Sequence, residues 1–153
     1  MTTASERLTA LGLELPPVAA PVAAYVPATR SGSQVLTSGQ LPTVAGRLVA
    51  TGKVGAEVSP EQATEAARTA ALNALAAAAS QAGGLDGIAR IVKATVFVAS
   101  TSDFTGQPQV ANGASQLFVD VFGEAGQHVR SAVGVPVLPL DSPVEVELVV
   151  ELA

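Results

Sequence analysis

The run Ser59-Pro60-Glu61-Gln62 opens the longest regular element this chain can form, and that element restricts the fold more than any other feature. Serine suits the N-cap, proline suits the first helical position, and a glutamine three residues after the cap completes a capping box. The spacing predicts a helix to about Gln81, stopped by Gly83 and Gly84. Its inward face is mostly alanine with Leu72 and Leu75, so the helix can lie close against a sheet. The stretch IARIVKATVFVAS that follows alternates Ile91, Lys93, Thr95 and Phe97 with Val92, Ala94, Val96 and Val98. That is the pattern of a strand with one strongly apolar face.

A second helix is expected from about Gln107 to Phe122, with Val110, Ala114, Leu117, Phe118 and Val121 at helical spacing and Gly123 at its end. Upstream, AAYVPATRSG and SQVLTSGQLP are joined at Arg30, Ser31 and Gly32 and read as a hairpin, with a further short strand near Leu48. Two strands follow Arg130, separated by Leu138, Pro139, Asp141 and Pro143. Residues 1–21 read as an N-terminal arm or short helix, amphipathic from Glu6 to Leu13 before Pro16, Pro17 and Pro21; residues 22–153 read as one domain. The order predicts an α+β fold: one mainly antiparallel sheet with two helices on a single face. The other face then has apolar residues to bury, which closed oligomerisation would do while creating clefts between copies.

The chain has 153 residues, a single-domain length, and no cysteine, which excludes disulfides, thiolate nucleophiles and sulfur-ligated metals. Its net charge is −5 and its eight basic residues are scattered, so phosphate neutralisation and a nucleic-acid partner are not expected. The alanine-rich run is interrupted by Arg68, Asn73 and Gln81, which argues against a membrane span. No secretory signal is visible, and a cytoplasmic location is the default expectation.

Arg130 opens a segment, RSAVGVPVLPLDSPVEVELVVEL, that has few other side chains able to do chemistry. An unpaired guanidinium entering a buried strand loses several kcal/mol of hydration, on the order of what a buried ion pair must recover, so it needs an anion. Two partners fit: Glu145, if its strand is the neighbour, or a small carboxylate ligand. Glu147 shares a sheet face with Glu145, and periodicity alone does not separate them. The single histidine, His128, reads as a surface residue before the strand.

The strings AAYVPATRSGSQVLTSGQLP, IVKATVFVASTSDF, VANGASQLFVDVFG and HVRSAVGV with LPLDSPVEVE resemble the Rid/YjgF family of reactive-intermediate deaminases, whose older label is endoribonuclease L-PSP. The resemblance covers roughly residues 22 to 152. It implies a chorismate-mutase-like fold assembled as a homotrimeric barrel, with sites in the clefts between subunits. It also implies hydrolysis of 2-imino acids to 2-oxo acids and ammonia without cofactor or metal. By the same resemblance Arg130 clamps the substrate carboxylate and Glu145 holds the attacking water. Tyr25, Ser38, Gly39, Asn112 and Ala132 line the ligand, the last through its backbone N–H. Ala132 stands where studied deaminases commonly carry cysteine, and the segment from Thr43 to Val58 is longer than in the archetype. Competing readings are a non-catalytic sensor of small carboxylates such as 2-oxo acids, an endoribonuclease, and a purely structural or chaperone-like trimer.

Overall fold

A computed structural model of the chain describes residues 1–21 and 23–153. The expected boundary between arm and domain falls at Val22, outside the described residues.

The first long helix forms where its caps predict. It is α2, with α1 at Ala4–Ala10 before it, and it runs Pro60–Ser80. The Ser59 side chain accepts from the Gln62 backbone N–H at 3.1 Å, and the Gln62 side chain accepts from the Ser59 N–H at 2.9 Å. Gly83 and Gly84, at φ 74° and 120°, let the chain leave the helix. The second long helix, α3, spans Gln107–Phe122 and ends at Gly123, φ 63°.

Among the described residues six strands precede the last one. They are β1 (Ala28–Ser31), β2 (Gln34–Thr37), β3 (Thr43–Val44), β4 (Arg47–Leu48), β5 (Ile88–Ala99) and β6 (Val129–Val135), and β7 (Val144–Leu152) follows. The main sheet has the order β1-β2-β7-β5-β6. Strand β7 is antiparallel to both β2 and β5, whereas β6 is parallel to β5 and is reached through α3. The sheet is therefore mixed, with three antiparallel pairings and one parallel. The strand expected near Leu48 is β4, paired with β3 across Ala45 and Gly46, both at positive φ as a two-residue hairpin turn demands.

The sheet is covered on one face. Val144, Val146, Leu148 and Val150 of β7 are buried beneath α2, and Ala94, Val96 and Val98 of β5 are buried with them. The covering surface of α2 is alanine: Ala63, Ala66, Ala67, Ala70, Ala71, Ala74, Ala77 and Ala78 all sit in the core. The register of β5 overturns one expectation. Alternation along the sequence puts Ile91 on the face opposite Ala94, but the β5–β7 register shifts between Ile91 and Lys93, and this irregularity brings Ile91 into the core with Ala94. The short helix expected within residues 1–21 is α1: it carries its own Thr3–Glu6 capping box and packs against α3 with Leu8 buried, so the described residues form three α-helices. Among the described residues, no helix is long and apolar enough to cross a membrane.

The α2–α3 contact depends on Gly113, where an added Cβ would overlap the Thr64 carbonyl. Gly113→Ala must push the helices apart and should lower the unfolding free energy by about 1–3 kcal/mol. Urea denaturation measures this, and an unchanged midpoint would show that the contact is slack.

Candidate functional site

Arg130 stands on β6 beside Ala94, on the helix-covered side of the sheet. Its Nη1 donates to Asn112 Oδ1 at 2.7 Å and to Ser115 Oγ at 3.2 Å, both on α3. Asn112 and Ser115 lie one helical turn apart, which places both side chains over the same strand end. Ala132, two residues along β6, is half-buried on the same side, level with Val96. Both ion pairs found among the described residues, Arg68–Asp120 and Arg90–Glu151, leave Arg130 out. Its charge is held by neutral acceptors alone.

The expected alternative, a structural Arg130–Glu145 pair on neighbouring strands, is not formed. Strand β5 lies between β6 and β7, and Glu145 is opposite Phe97 whereas Arg130 is beside Ala94. Two strand spacings and three residues of offset put their Cα atoms roughly 14 Å apart. They also point to opposite sides. Glu145 alternates with the buried Val144 and Val146, so its carboxylate stands on the open face with Glu147.

A second group of residues collects around Glu145. Gln40 bridges to β7 through Gln40 N–H to Val146 O at 2.8 Å and Val146 N–H to Gln40 O at 2.9 Å, which lays the Ser38-Gly39-Gln40 turn against the strand. Gly39 packs on the Glu145 side chain so closely that a Cβ there would overlap Glu145 Oε1. Ser38 serves the turn: its Oγ donates to Val26 O at 2.6 Å and its N–H to Pro27 O at 2.8 Å. Tyr25 and Gly39 line a cleft of about 530 Å³ whose remaining wall includes Pro16, Pro21, Leu41 and Leu140. Leu140 and the following Asp141 hold positive φ, at 59° and 61°, a conformation disfavoured for both. A more open depression of about 700 Å³, lined by Lys53, Ser100 and Gln107, contains none of the expected site residues.

The sequence-predicted residues thus fall into two clusters. Arg130, Asn112 and Ala132 form one; in the other Gly39 touches Glu145, while Ser38 braces the same turn and Tyr25 lines the adjoining cleft, which Glu145 does not line. Burial, and secondarily the Glu147 carboxylate, hold the Glu145 carboxyl above its ordinary range. His128 departs from its expected surface role. It is half-buried, with Nδ1 2.6 Å from Gly126 O, Nε2 2.9 Å from Ser115 Oγ, and its ring edge-on to Phe118 at 5.4 Å. Ser115 was missed, although its place three residues after Asn112 on one helix face was a usable signal. Among the described residues, no group of three or more acidic or histidine side chains is arranged to hold a metal ion.

The sequence model of a family described as "YjgF/chorismate_mutase-like, putative endoribonuclease" matches residues 5–152. Protein TCP17 of Trypanosoma cruzi is 46% identical over 145 residues, spanning 93% of this chain and 89% of that protein. A crystal structure from Shewanella oneidensis MR-1 with the same endoribonuclease description is 39% identical. It superposes with a TM-score of 0.94, covering 98% of this chain and 99% of its own. The crystal structure of Escherichia coli TdcF with bound serine is 29% identical, with a TM-score of 0.63 and coverage of 91% and 94%.

The raised Glu145 pKa fixes a sign. The folded chain holds this proton to higher pH than the unfolded chain, so the group lowers stability as pH rises above the ordinary carboxylate range, and its effect vanishes below it. Glu145→Gln should therefore raise the melting temperature at pH 7 and leave it unchanged near pH 3. A melting temperature lowered at pH 7 would mean that the carboxylate is stabilised by a partner.

Proposed function

This chain belongs to the YjgF/chorismate mutase-like family, and we propose that it hydrolyses small 2-imino acids to 2-oxo acids and ammonia in a cleft shared between copies of the chain. The observation that carries this reading is the separation of two unpaired charges: among the described residues, Arg130 has no carboxylate partner on one side of the sheet, and the half-buried Glu145 carboxyl belongs to neither ion pair on the other. Within one chain they do not converge, so a shared ligand requires a second copy to bring its Glu145 opposite Arg130. The open face supports such an assembly, since Leu36 and Val133 remain 39% and 43% exposed there. A homotrimer closes that contact around three equal sites.

In this reading the guanidinium donates two parallel hydrogen bonds to the substrate carboxylate, a geometry that an ammonium cannot reproduce. The backbone N–H groups near Gly39 and Ala132 orient the rest of the molecule, and the Ser38 turn and Tyr25 shape the cleft. Glu145 accepts a proton from water as the oxygen attacks C2 of the protonated imine. The same proton then passes to the nitrogen of the carbinolamine, the C–N bond breaks, and Glu145 takes the remaining hydroxyl proton as the C2–O bond becomes the carbonyl; that proton goes to the departing ammonia, which leaves as ammonium. A carboxylate placed beside C2 and the imine nitrogen can serve both halves of that exchange. No cofactor enters this scheme. The serine bound to TdcF supports the assignment, because it carries the carboxylate and α-nitrogen that a 2-imino acid also carries. The family's endoribonuclease description names a second reading. The only imidazole in the chain is already hydrogen bonded at both nitrogens, and the net charge is −5, which favours imine hydrolysis over RNA cleavage.

Turnover of freshly generated 2-iminobutanoate tests the assignment. Glu145→Gln should slow it by a factor on the order of 100 while 2-oxobutanoate still binds, and Glu147→Gln should be much milder. Near-normal turnover in Glu145→Gln would remove this carboxylate from the chemistry. Arg130→Ala should lose hydrolysis and keep the assembly, which light scattering should size at three chains.

Mixing supplies a separate check on the shared cleft. Subunits carrying Arg130→Ala and subunits carrying Glu145→Gln, each strongly impaired apart, should gain activity above either alone after co-refolding, because mixed trimers contain sites with both groups intact. Activity that stays absent in verified mixed trimers would place both groups in one subunit's site.

A further inference from the structure

Nη1 of Arg130 has two hydrogens, and both are engaged: one by Asn112 Oδ1 at 2.7 Å, the other by Ser115 Oγ at 3.2 Å. The edge formed by Nε and Nη2 is left to meet a ligand, and it is one of the two edges that can grip a carboxylate with parallel bonds. The direction in which that edge points is set by whatever fixes the two oxygens. Asn112 is exposed, and its amide can turn. Ser115 is different, because its hydroxyl is tied further back.

The tie is His128. Its Nδ1 lies 2.6 Å from the Gly126 carbonyl oxygen, which only accepts, so Nδ1 carries the proton. In the neutral ring Nε2 is then an acceptor, and it receives the Ser115 hydroxyl at 2.9 Å. With its own proton committed to Nε2, Ser115 Oγ presents its lone pairs to Arg130. A protonated ring would instead direct two cations at one hydroxyl oxygen. The ring is held in place by Phe118, edge-on at 5.4 Å, a side chain with no exposed surface.

We infer that His128 and Ser115 are positioning residues that orient the Arg130 guanidinium for a ligand carboxylate, through a relay from the Gly126 carbonyl to His128 Nδ1–H, from the Ser115 hydroxyl to His128 Nε2, and from Arg130 Nη1 to Ser115 Oγ. The inference rests on the reading of Arg130 as the carboxylate grip. It gives the chain's one histidine a task in binding that requires no proton transfer to substrate.

Calorimetric titration with 2-oxobutanoate, alongside turnover of 2-iminobutanoate, tests it. Ser115→Ala should weaken binding about 5- to 10-fold, the size of one ordinary hydrogen bond, since the residue acts on the guanidinium's orientation and not on the ligand itself, with kcat at saturation little changed. Ser115→Thr, which keeps the hydroxyl, should restore the affinity. If Ser115→Ala binds normally while Arg130→Ala does not bind, the relay is wrong and the carboxylate grip stands. If Arg130→Ala also binds normally, the grip itself is wrong. The unaltered protein gives an answer that depends on no variant: with a single histidine, nitrogen NMR of the neutral imidazole should find its proton on Nδ1, and a proton on Nε2 overturns the relay.

Discussion

Close approach between an alanine-surfaced helix and the middle of the sheet is the contact on which the rest of the molecule depends. Alanine loses no side-chain freedom on burial and brings two backbones near each other, so α2 lies directly over β7 and α3 reaches it across Gly113. With both long helices committed to one face, the alternation along β7 sorts its side chains without ambiguity: valines and Leu148 inward, Glu145 and Glu147 outward. The site chemistry follows from that sorting. A carboxyl on the bare face is partly desolvated by neighbouring strands and by the Ser38-Gly39-Gln40 turn, without receiving a cation from its own chain.

The parallel strand β6 has the complementary role. A crossover through α3 returns the chain to the sheet edge, so the first residues of β6 lie under the flank of the same helix that connects β5 to it. Helix α3 therefore supplies oxygen acceptors where β6 supplies the guanidinium. One short stretch of chain furnishes both the charge and its holders.

Elements with local chemical punctuation were legible in the sequence. The Ser59–Gln62 box, the glycine stops at Gly83 and Gly123, and the two terminal strands all appear where the residues put them. Elements set by pairing were less so. The face of Ile91 was misassigned because a register shift leaves no mark in the alternation, and Arg130 and Glu145 were open to pairing as neighbours because strand adjacency is decided by a crossover. The clustering of Gly39 with Glu145 came from resemblance, since nothing in spacing connects a turn near residue 39 to a strand near 145. His128 was misjudged for a related reason. Its partners are a helix residue and a backbone carbonyl, and a lone histidine before a strand advertises neither.

The two clusters differ in how much chain must close to make them. The Arg130–Asn112 bond joins residues 18 apart, while the bond from Leu148 N–H to Thr37 Oγ, which pins β2 to β7 beside Glu145, spans 111. Closing the longer loop costs ~1.6 kcal/mol more by the logarithmic dependence on length. During folding, the cationic half can therefore be in place within a locally connected helix and strand before the acidic half exists. Changes in the first hairpin would then disturb the carboxylate's surroundings while leaving the arginine's intact, and the two clusters would tolerate sequence drift unequally.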